Sequence, residues 1–548
     1  MFFSRNDGVG LGQRMGWAVP SPAFARSQTG FAIGWNTGTL FLVMALAIVL
    51  LRLPFINFNV LNDDEAAYLM VGEALRHGAI PYVDIVDRKP LGIYLIYALA
   101  GMLFQDPVIG ARCLGALCTF IAAVQLKSIG ERAMGLSPVA GAVCGILYST
   151  YALLFFGDAA QTPVFFMPLV IGAAALVIKD LKRLAEGEAP DVWRLGFAGL
   201  LLGLSLQVKY STVIECGAWG VLPLFFAWRR RAALGARGLR TVLAGAGLML
   251  VGGLLPTFVA YAVYVALGHA DAFVFYNFTS NLTRGASQYS EGVILLRGSL
   301  FILAMAPLVI MSHRYIRTRR VQISGQSFLS YENCRWVHVV LVVWTVAALA
   351  AGLMQRQPFS HYFFDALAPL SLLAAAAVHW TSSRRVAMRT TAVLVALAVV
   401  GYVGIRVEKI FESGSPYLPQ QVADDIRGQG LHSMYVFNAS GLMYHLAHAP
   451  LPSRYPHPPM LTSNLEAASF QIDAQSELKK ILGENPEAVV LRQPISKDIS
   501  SDRRAIVMSK LADEYCLWRT YPAGVGHHID LYLRGASCTR TMQVASAK

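Results

Sequence analysis

Apolar residues in this chain gather into long unbroken runs, and the polar residues collect in the gaps between them. Runs at 36–52, 108–126, 136–156, 160–178, 195–210, 212–228, 241–266, 294–312, 337–354, 362–380 and 391–407 approach the roughly 20 residues that a bilayer-spanning helix needs. They predict a polytopic α-helical membrane protein of about eleven transmembrane helices. The stretch 195–228 fixes the parity. As one helix its 34 residues would be about 51 Å long at 1.5 Å per residue, against a hydrocarbon core of about 30 Å. Lys209-Tyr210-Ser211 interrupts its middle and basic residues flank both ends. A hairpin of two short spans with Lys209 at the outer tip satisfies both constraints. The run 91–104 is too short to cross and reads as an interfacial helix.

Charge patterning orients the spans. Lys127/Arg132, Lys179 to Arg194, Arg229 to Arg240, Arg314 to Arg320 and Arg384/Arg385/Arg389 occupy alternate gaps, as the positive-inside bias demands. The first outer loop is then 53–107, and residues 1–33 form a cytoplasmic tail ahead of a transmembrane domain over 34–407. Residues 408–548 lie outside. There strand-like pieces (434–437, 488–491, 529–533) alternate with helical ones (473–482, 503–514), a pattern of a small α/β domain. Pro and Gly near 414–430 mark a linker.

Composition agrees. Of 548 residues, 55% are hydrophobic and only 14% charged, against about 25% charged in soluble proteins. The net charge of +13 sits in short inter-span loops. With no basic stripe interleaved with aromatics, nucleic acid is excluded as a partner. The seven cysteines show no CxxC and no Cys/His ligand spacing, which argues against a zinc site. Cys516 and Cys538 share the tail. They pair if it faces an oxidising compartment and otherwise stand as free thiols.

The polar residues hardest to explain as packing converge on the outer face. Asp63, Asp64, Glu65, Arg88 and Lys89 lie in the first outer loop, Asp158 in the second, Lys209 at the third tip, and His361-Tyr362 opens the tenth span. Carboxylates beside cations at a membrane surface suit transfer from a lipid phosphate. A carboxylate takes the acceptor's proton and cations stabilise the departing phosphate. Each residue also has a plainer reading. The acids suit the first turn of a helix, Arg88-Lys89 and Lys209 suit headgroup anchoring, Asp158 a helix cap, and His361-Tyr362 an aromatic belt.

Asp64-Glu65-Ala66-Ala67-Tyr68, Gly78-Ala79-Ile80-Pro81-Tyr82 and Asp87-Arg88-Lys89-Pro90-Leu91-Gly92-Ile93-Tyr94 resemble the first periplasmic loop of GT-C glycosyltransferases. They look like those of bacterial members of the protein mannosyltransferase and aminoarabinose transferase superfamily. Gly157-Asp158, the glycine-rich run from Gly199 leading to Lys209, His361-Tyr362, and Tyr444-His445-Leu446 in the tail follow in the same order. The resemblance implies a bacterial inner-membrane enzyme, with its active site and its C-terminal domain periplasmic. Its donor would be a polyprenyl-phosphate sugar, its acceptor a glycan, lipid or protein, and transfer would invert the anomeric centre. It implies Asp64 as catalytic carboxylate with Asp63 and Glu65 beside it. Lys89, Arg88, Lys209, His361 and Tyr362 would bind the donor phosphate, and Asp158 and Tyr68 would position the acceptor. Lys89-Pro90-Leu91 stands where relatives often carry Lys-Pro-Pro. Some such enzymes use a divalent metal ion and others do not, and no ligand set in the sequence decides between them. Two other functions fit a polytopic chain with an outer domain. A flippase of lipid-linked sugars would carry ionisable groups at mid-bilayer and paired repeats, and an assembly factor would use the tail for docking.

Overall fold

The computed structural model describes residues 36–59, 61–282, 290–322, 335–357, 359–381, 383–496 and 499–535. The N-terminal tail, Cys334 and Cys538 lie outside them, and so does the choice between a Cys516–Cys538 pair and two free thiols.

Helix starts follow local chemistry. Helix α1 (Thr37–Arg52) opens on Asn36, whose side chain accepts the Thr39 N–H at 2.7 Å. Helices α2 (Asp63–Arg76) and α3 (Leu91–Leu103) come next. Helix α4 (Pro107–Met134) opens on Asp106, which accepts from Val108 and Ile109, and has proline in its first turn. It ends at Gly135 with φ 67°, the left-handed geometry that only glycine adopts without strain. Helices α5 (Pro138–Ala152), α6 (Thr162–Ala185), α7 (Val192–Leu206), α8 (Val213–Arg229) and α9 (Arg231–Ala266) complete the first half.

The hairpin predicted around Lys209 is there, and glycine explains how α7 packs. A Cβ on Gly199 would fall 2.0 Å from the Met249 carbonyl oxygen, and one on Gly203 2.5 Å from that of Gly253. Helices α7 and α9 touch backbone to backbone along this small-residue stripe, the close approach that stabilises helix pairs in lipid.

Helices α10 (Glu291–Ala304) and α11 (Ala306–Gln322) meet at a 61° bend. Then follow α12 (Arg335–Met354), a 3-10 turn over Ser360–Ala366 leading into α13 (Leu367–His379), and α14 (Arg384–Ser413). Among the described residues nine helices are long and apolar enough to cross a membrane, or ten with the bent pair as one span. Helix α7, the fifth expected span, has 15 residues. The chain is a multi-pass membrane protein. Helix α3 has 13 residues. It buries Ile93, Tyr94 and Tyr97 and exposes Leu95, Leu99 and Met102, which suits a helix set into the membrane edge.

The stretch expected as a linker near 414–430 is mostly helix α15 (Leu418–Gly428). Leu418, Val422 and Ile426, four apart, form its buried stripe, and that helical period outweighs the flanking Pro and Gly. Beyond it β1 (Met434–Phe437), β2 (Ala488–Gln493), β3 (Tyr515–Pro522) and β4 (His528–Arg534) form one sheet in the order β1-β2-β4-β3. Strands β1 and β2 are parallel and the rest antiparallel. This small α/β domain docks on the first loop. Val86 N donates to Arg454 O at 2.9 Å, and His445 Nδ1 lies 3.0 Å from Glu73 Oε2. That contact is the main reason the Glu73 carboxyl is held below its ordinary range.

Candidate active site

Asp63, Asp64 and Glu65 form the first turn of α2, with Asn62 Oδ1 accepting the Asp64 N–H at 2.9 Å. The helix-terminus reading therefore holds, but the three side chains diverge beyond it. Asp63 is exposed and Asp64 half-buried. Gln161 Nε2, from the residue capping α6, donates to Asp64 Oδ2 at 2.9 Å. Glu65 is buried and gripped by Arg112 of α4 through Nε at 3.1 Å and Nη2 at 2.7 Å. Its Oε1 also accepts the Ala160 N–H at 2.8 Å.

The loop carrying Lys89 is built on tyrosines. Tyr82 donates to the Lys89 carbonyl at 2.7 Å, and Lys89 N donates to Tyr94 Oη at 3.2 Å. Tyr94 in turn donates to Asp87 Oδ2 at 2.8 Å. Gly92 N donates to Gln207 O at 2.8 Å, and a Cβ at position 92 would lie 2.5 Å from that oxygen. The glycine after Lys89-Pro90-Leu91 thus lets the Lys89 loop lie against the α7–α8 connection, two residues from Lys209.

Lys209 is buried, not splayed at a tip, with Nζ 4.2 Å from the Tyr362 ring centroid. The His361 ring sits 4.5 Å from that of Tyr362 and stacks on Phe359. Asp64 lies within electrostatic reach of Lys89, His361 and His457, and Lys209 within reach of Lys89, Asp365 and Asp64. Burial alone would push the Asp64 carboxyl up. Lys89, His361 and the Gln161 hydrogen bond override it and hold Asp64 well below the usual carboxylate range. Burial first, and then the like charge of Lys89, push Lys209 down to about 7. Two polar atoms here, His361 Nδ1 and the Tyr68 hydroxyl, are buried without a hydrogen-bond partner among the described residues. Leaving such groups unpaired is costly, which fits a pocket that takes a polar ligand.

Two expected members face elsewhere. Arg88 pairs with Glu466, donates to Ser469 Oγ at 2.9 Å and lies 4.1 Å over the Phe470 ring, all in the C-terminal domain. This departs from a donor-phosphate role, because consecutive side chains of an extended segment point to opposite sides. Asp158 is buried, pairs with Arg406 of α14 and accepts from the Tyr402 hydroxyl at 2.6 Å. With Arg406 buried beside it, that carboxylate is held by its ion pair and departs from acceptor positioning. Among the described residues no three His, Cys, Asp or Glu side chains come together as metal ligands. The positive charge of the pocket comes from lysines.

Sequence reasoning overlooked Gln161, His457, Glu215 and Asp365. Glu215 and Asp365 lie close together, both buried beside Lys209, and Glu215 accepts from Trp344 Nε1 at 2.6 Å. Carboxylates inside apolar runs were the available signal. Gln161 and His457 carried none.

No protein-family model matches the chain, and no curated protein matches it. The crystal structure of ArnT from Cupriavidus metallidurans bound to undecaprenyl phosphate is similar, at 14% identity and a TM-score of 0.55, over 91% of this chain and 98% of that one. The apo state of the same protein matches at 14% identity and a TM-score of 0.53, over 90% and 97%. An oligosaccharyltransferase from Archaeoglobus fulgidus is more distant, at 10% identity and a TM-score of 0.45, over 89% and 73%. Over nearly its whole length the chain is therefore similar in fold to ArnT.

Proposed function

We propose that this protein is a glycosyltransferase that moves a sugar from a polyprenyl-phosphate donor to a hydroxyl of an envelope glycan, lipid or protein. The observation carrying the proposal is the cluster of Asp64 with Lys89, Lys209 and His361 at one end of the helix bundle. The solved ArnT structure, which holds undecaprenyl phosphate, supports the donor class. In this reading the acceptor oxygen attacks the anomeric carbon as the bond from that carbon to the phosphate oxygen breaks, and a single displacement inverts the centre. The acceptor proton passes to the Asp64 carboxylate, whose depressed pKa keeps it ionised and ready at working pH. Lys89 and Lys209 stabilise the charge that returns to the leaving polyprenyl phosphate. His361 Nδ1 and the Tyr68 hydroxyl, both unpaired in the pocket, hydrogen-bond to donor or acceptor oxygens. The site faces the periplasm of a bacterial inner membrane, beneath the C-terminal domain.

The test is transfer by purified protein from a set of polyprenyl-phosphate sugars to lipid and glycan acceptors. Lys89→Ala should lower kcat/KM by about 10²–10³-fold, the usual loss on removing one group that stabilises developing charge. Transfer as fast as wild type would sink the site assignment. Donor lipid crossing sealed vesicles with no covalent product would favour a flippase.

A further inference from the structure

The basic clusters that orient the spans are not uniformly spread over loops. Three of their members converge on one cavity of about 200 Å³, lined by Arg132, Lys179, Lys182 and Trp336 over apolar walls that include Ile129 and Ile178. Among the described residues no carboxylate lines it. An independent feature marks it as a ligand site. Trp336 is 2% exposed, yet its Nε1–H has no hydrogen-bond partner among the described residues. A buried indole donor is ordinarily satisfied.

Its place in the fold says which ligand it takes. Helix α6 begins at the Asp64 site, where Gln161 caps it. Lys179 lies 18 residues further on, roughly 27 Å along the axis at 1.5 Å per residue. That is about one hydrocarbon thickness, so the cavity sits at the opposite membrane face. Arg132 and Gly135 at the far end of α4, and Trp336 at the start of α12, place it there too. A cavity at that depth meets the headgroup layer. Its apolar floor suits glycerol and the first acyl carbons, its cationic rim a phosphate, and its tryptophan the interface.

We propose that this cavity binds the phosphate headgroup of an anionic phospholipid in the leaflet remote from the transfer site. Trp336 Nε1 donates to a phosphate or ester oxygen, and Arg132, Lys179 and Lys182 neutralise the charge. The proposal does not depend on the transfer reaction.

Native mass spectrometry of the full-length protein in detergent tests it, with dioleoylphosphatidylglycerol or dioleoylphosphatidylcholine as the probe. The wild type should retain phosphatidylglycerol selectively. Lys179→Ala/Lys182→Ala should weaken retention roughly thirtyfold, since each cation near an anionic surface contributes about a factor of five. Trp336→Phe, which keeps the ring and loses the donor, should weaken it several-fold. Arg384→Ala/Arg385→Ala, exposed cations outside the cavity, should leave it unchanged. Equal retention by the double-lysine variant and the wild type would overturn the site. Displacement by millimolar inorganic phosphate would overturn the lipid as its ligand.

Discussion

Two charged regions meet at the start of α2, and they differ in whether their charges are matched. In the belt formed by Glu65, Arg112, Asp158 and Arg406, each buried carboxylate has its guanidinium. In the neighbouring pocket Lys89 and Lys209 repel each other, a neutral glutamine donates to the Asp64 carboxylate, and among the described residues His361 Nδ1 and the Tyr68 hydroxyl lack hydrogen-bond partners. The belt ties α2 to α4 and α14 to the loop before α6, while the pocket stores uncompensated polarity that a charged ligand would settle. Neighbours in sequence divide between the two roles. Glu65 joins the belt and Asp64 the pocket, while Arg88 clamps the C-terminal domain and Lys89 faces the pocket.

The comparison is broken most directly at Asp64 and at Arg112. Asp64→Asn, nearly isosteric, should cut kcat by about 10²–10⁴ if the carboxylate is the general base, with the thermal midpoint little changed. A large loss of stability with normal specific activity would move Asp64 into the belt. Arg112→Ala should do the reverse. Removing one partner of a buried ion pair costs about 3–5 kcal/mol, read as a lower midpoint in a detergent thermal-shift assay. A midpoint within error of wild type would show that the belt is not what holds the first loop. Arg88→Ala should cost less, about 1.5–3 kcal/mol for hydrogen bonds to a charged group. Faster proteolysis of the C-terminal domain is the readout, with donor KM rising only secondarily.

Much of the architecture was legible because the bilayer simplifies the code. Unbroken apolar runs set the long helices, and the polar interruption at Lys209 separated α7 from α8. Partner choice was not legible, for a geometric reason. One step along a helix turns a side chain about 100°, so Asp64 and Glu65 face different surroundings although they read alike. What faces Glu65 is Arg112, 47 positions away, inside an apolar run. Arg88 and Lys89 pose the same problem in an extended segment, where alternate residues point apart. The lysine tip was placed correctly in the hairpin, but its inward turn depends on Gly92 admitting the first loop against Gln207. That close approach leaves no trace in hydropathy.

The smallest effect is also the sharpest probe of the unmatched pocket. Lys209 is pushed down to about 7 by burial and by Lys89, so it loses its charge as pH climbs through neutrality. Lys89, Asp64, Asp365, His361 and the Tyr362 ring all face it. Against an unfolded value of about 10.4, the unfolded chain binds more protons between pH 7 and 10.4. Stability therefore rises with pH across that window, and the cost of burying the charged lysine is fully present below it. Donor binding should run the other way. A phosphodiester donor carries a fixed negative charge and favours charged Lys209, so binding above pH 7 takes up a proton. Donor KM should then rise by at most about tenfold per pH unit above 7, the slope of a single linked proton. Lys209→Arg, whose side chain stays charged, should flatten that profile while leaving the Asp64-dependent kcat in place. A profile equally steep in Lys209→Arg would assign the proton to another group of the pocket and remove Lys209 from the phosphate site.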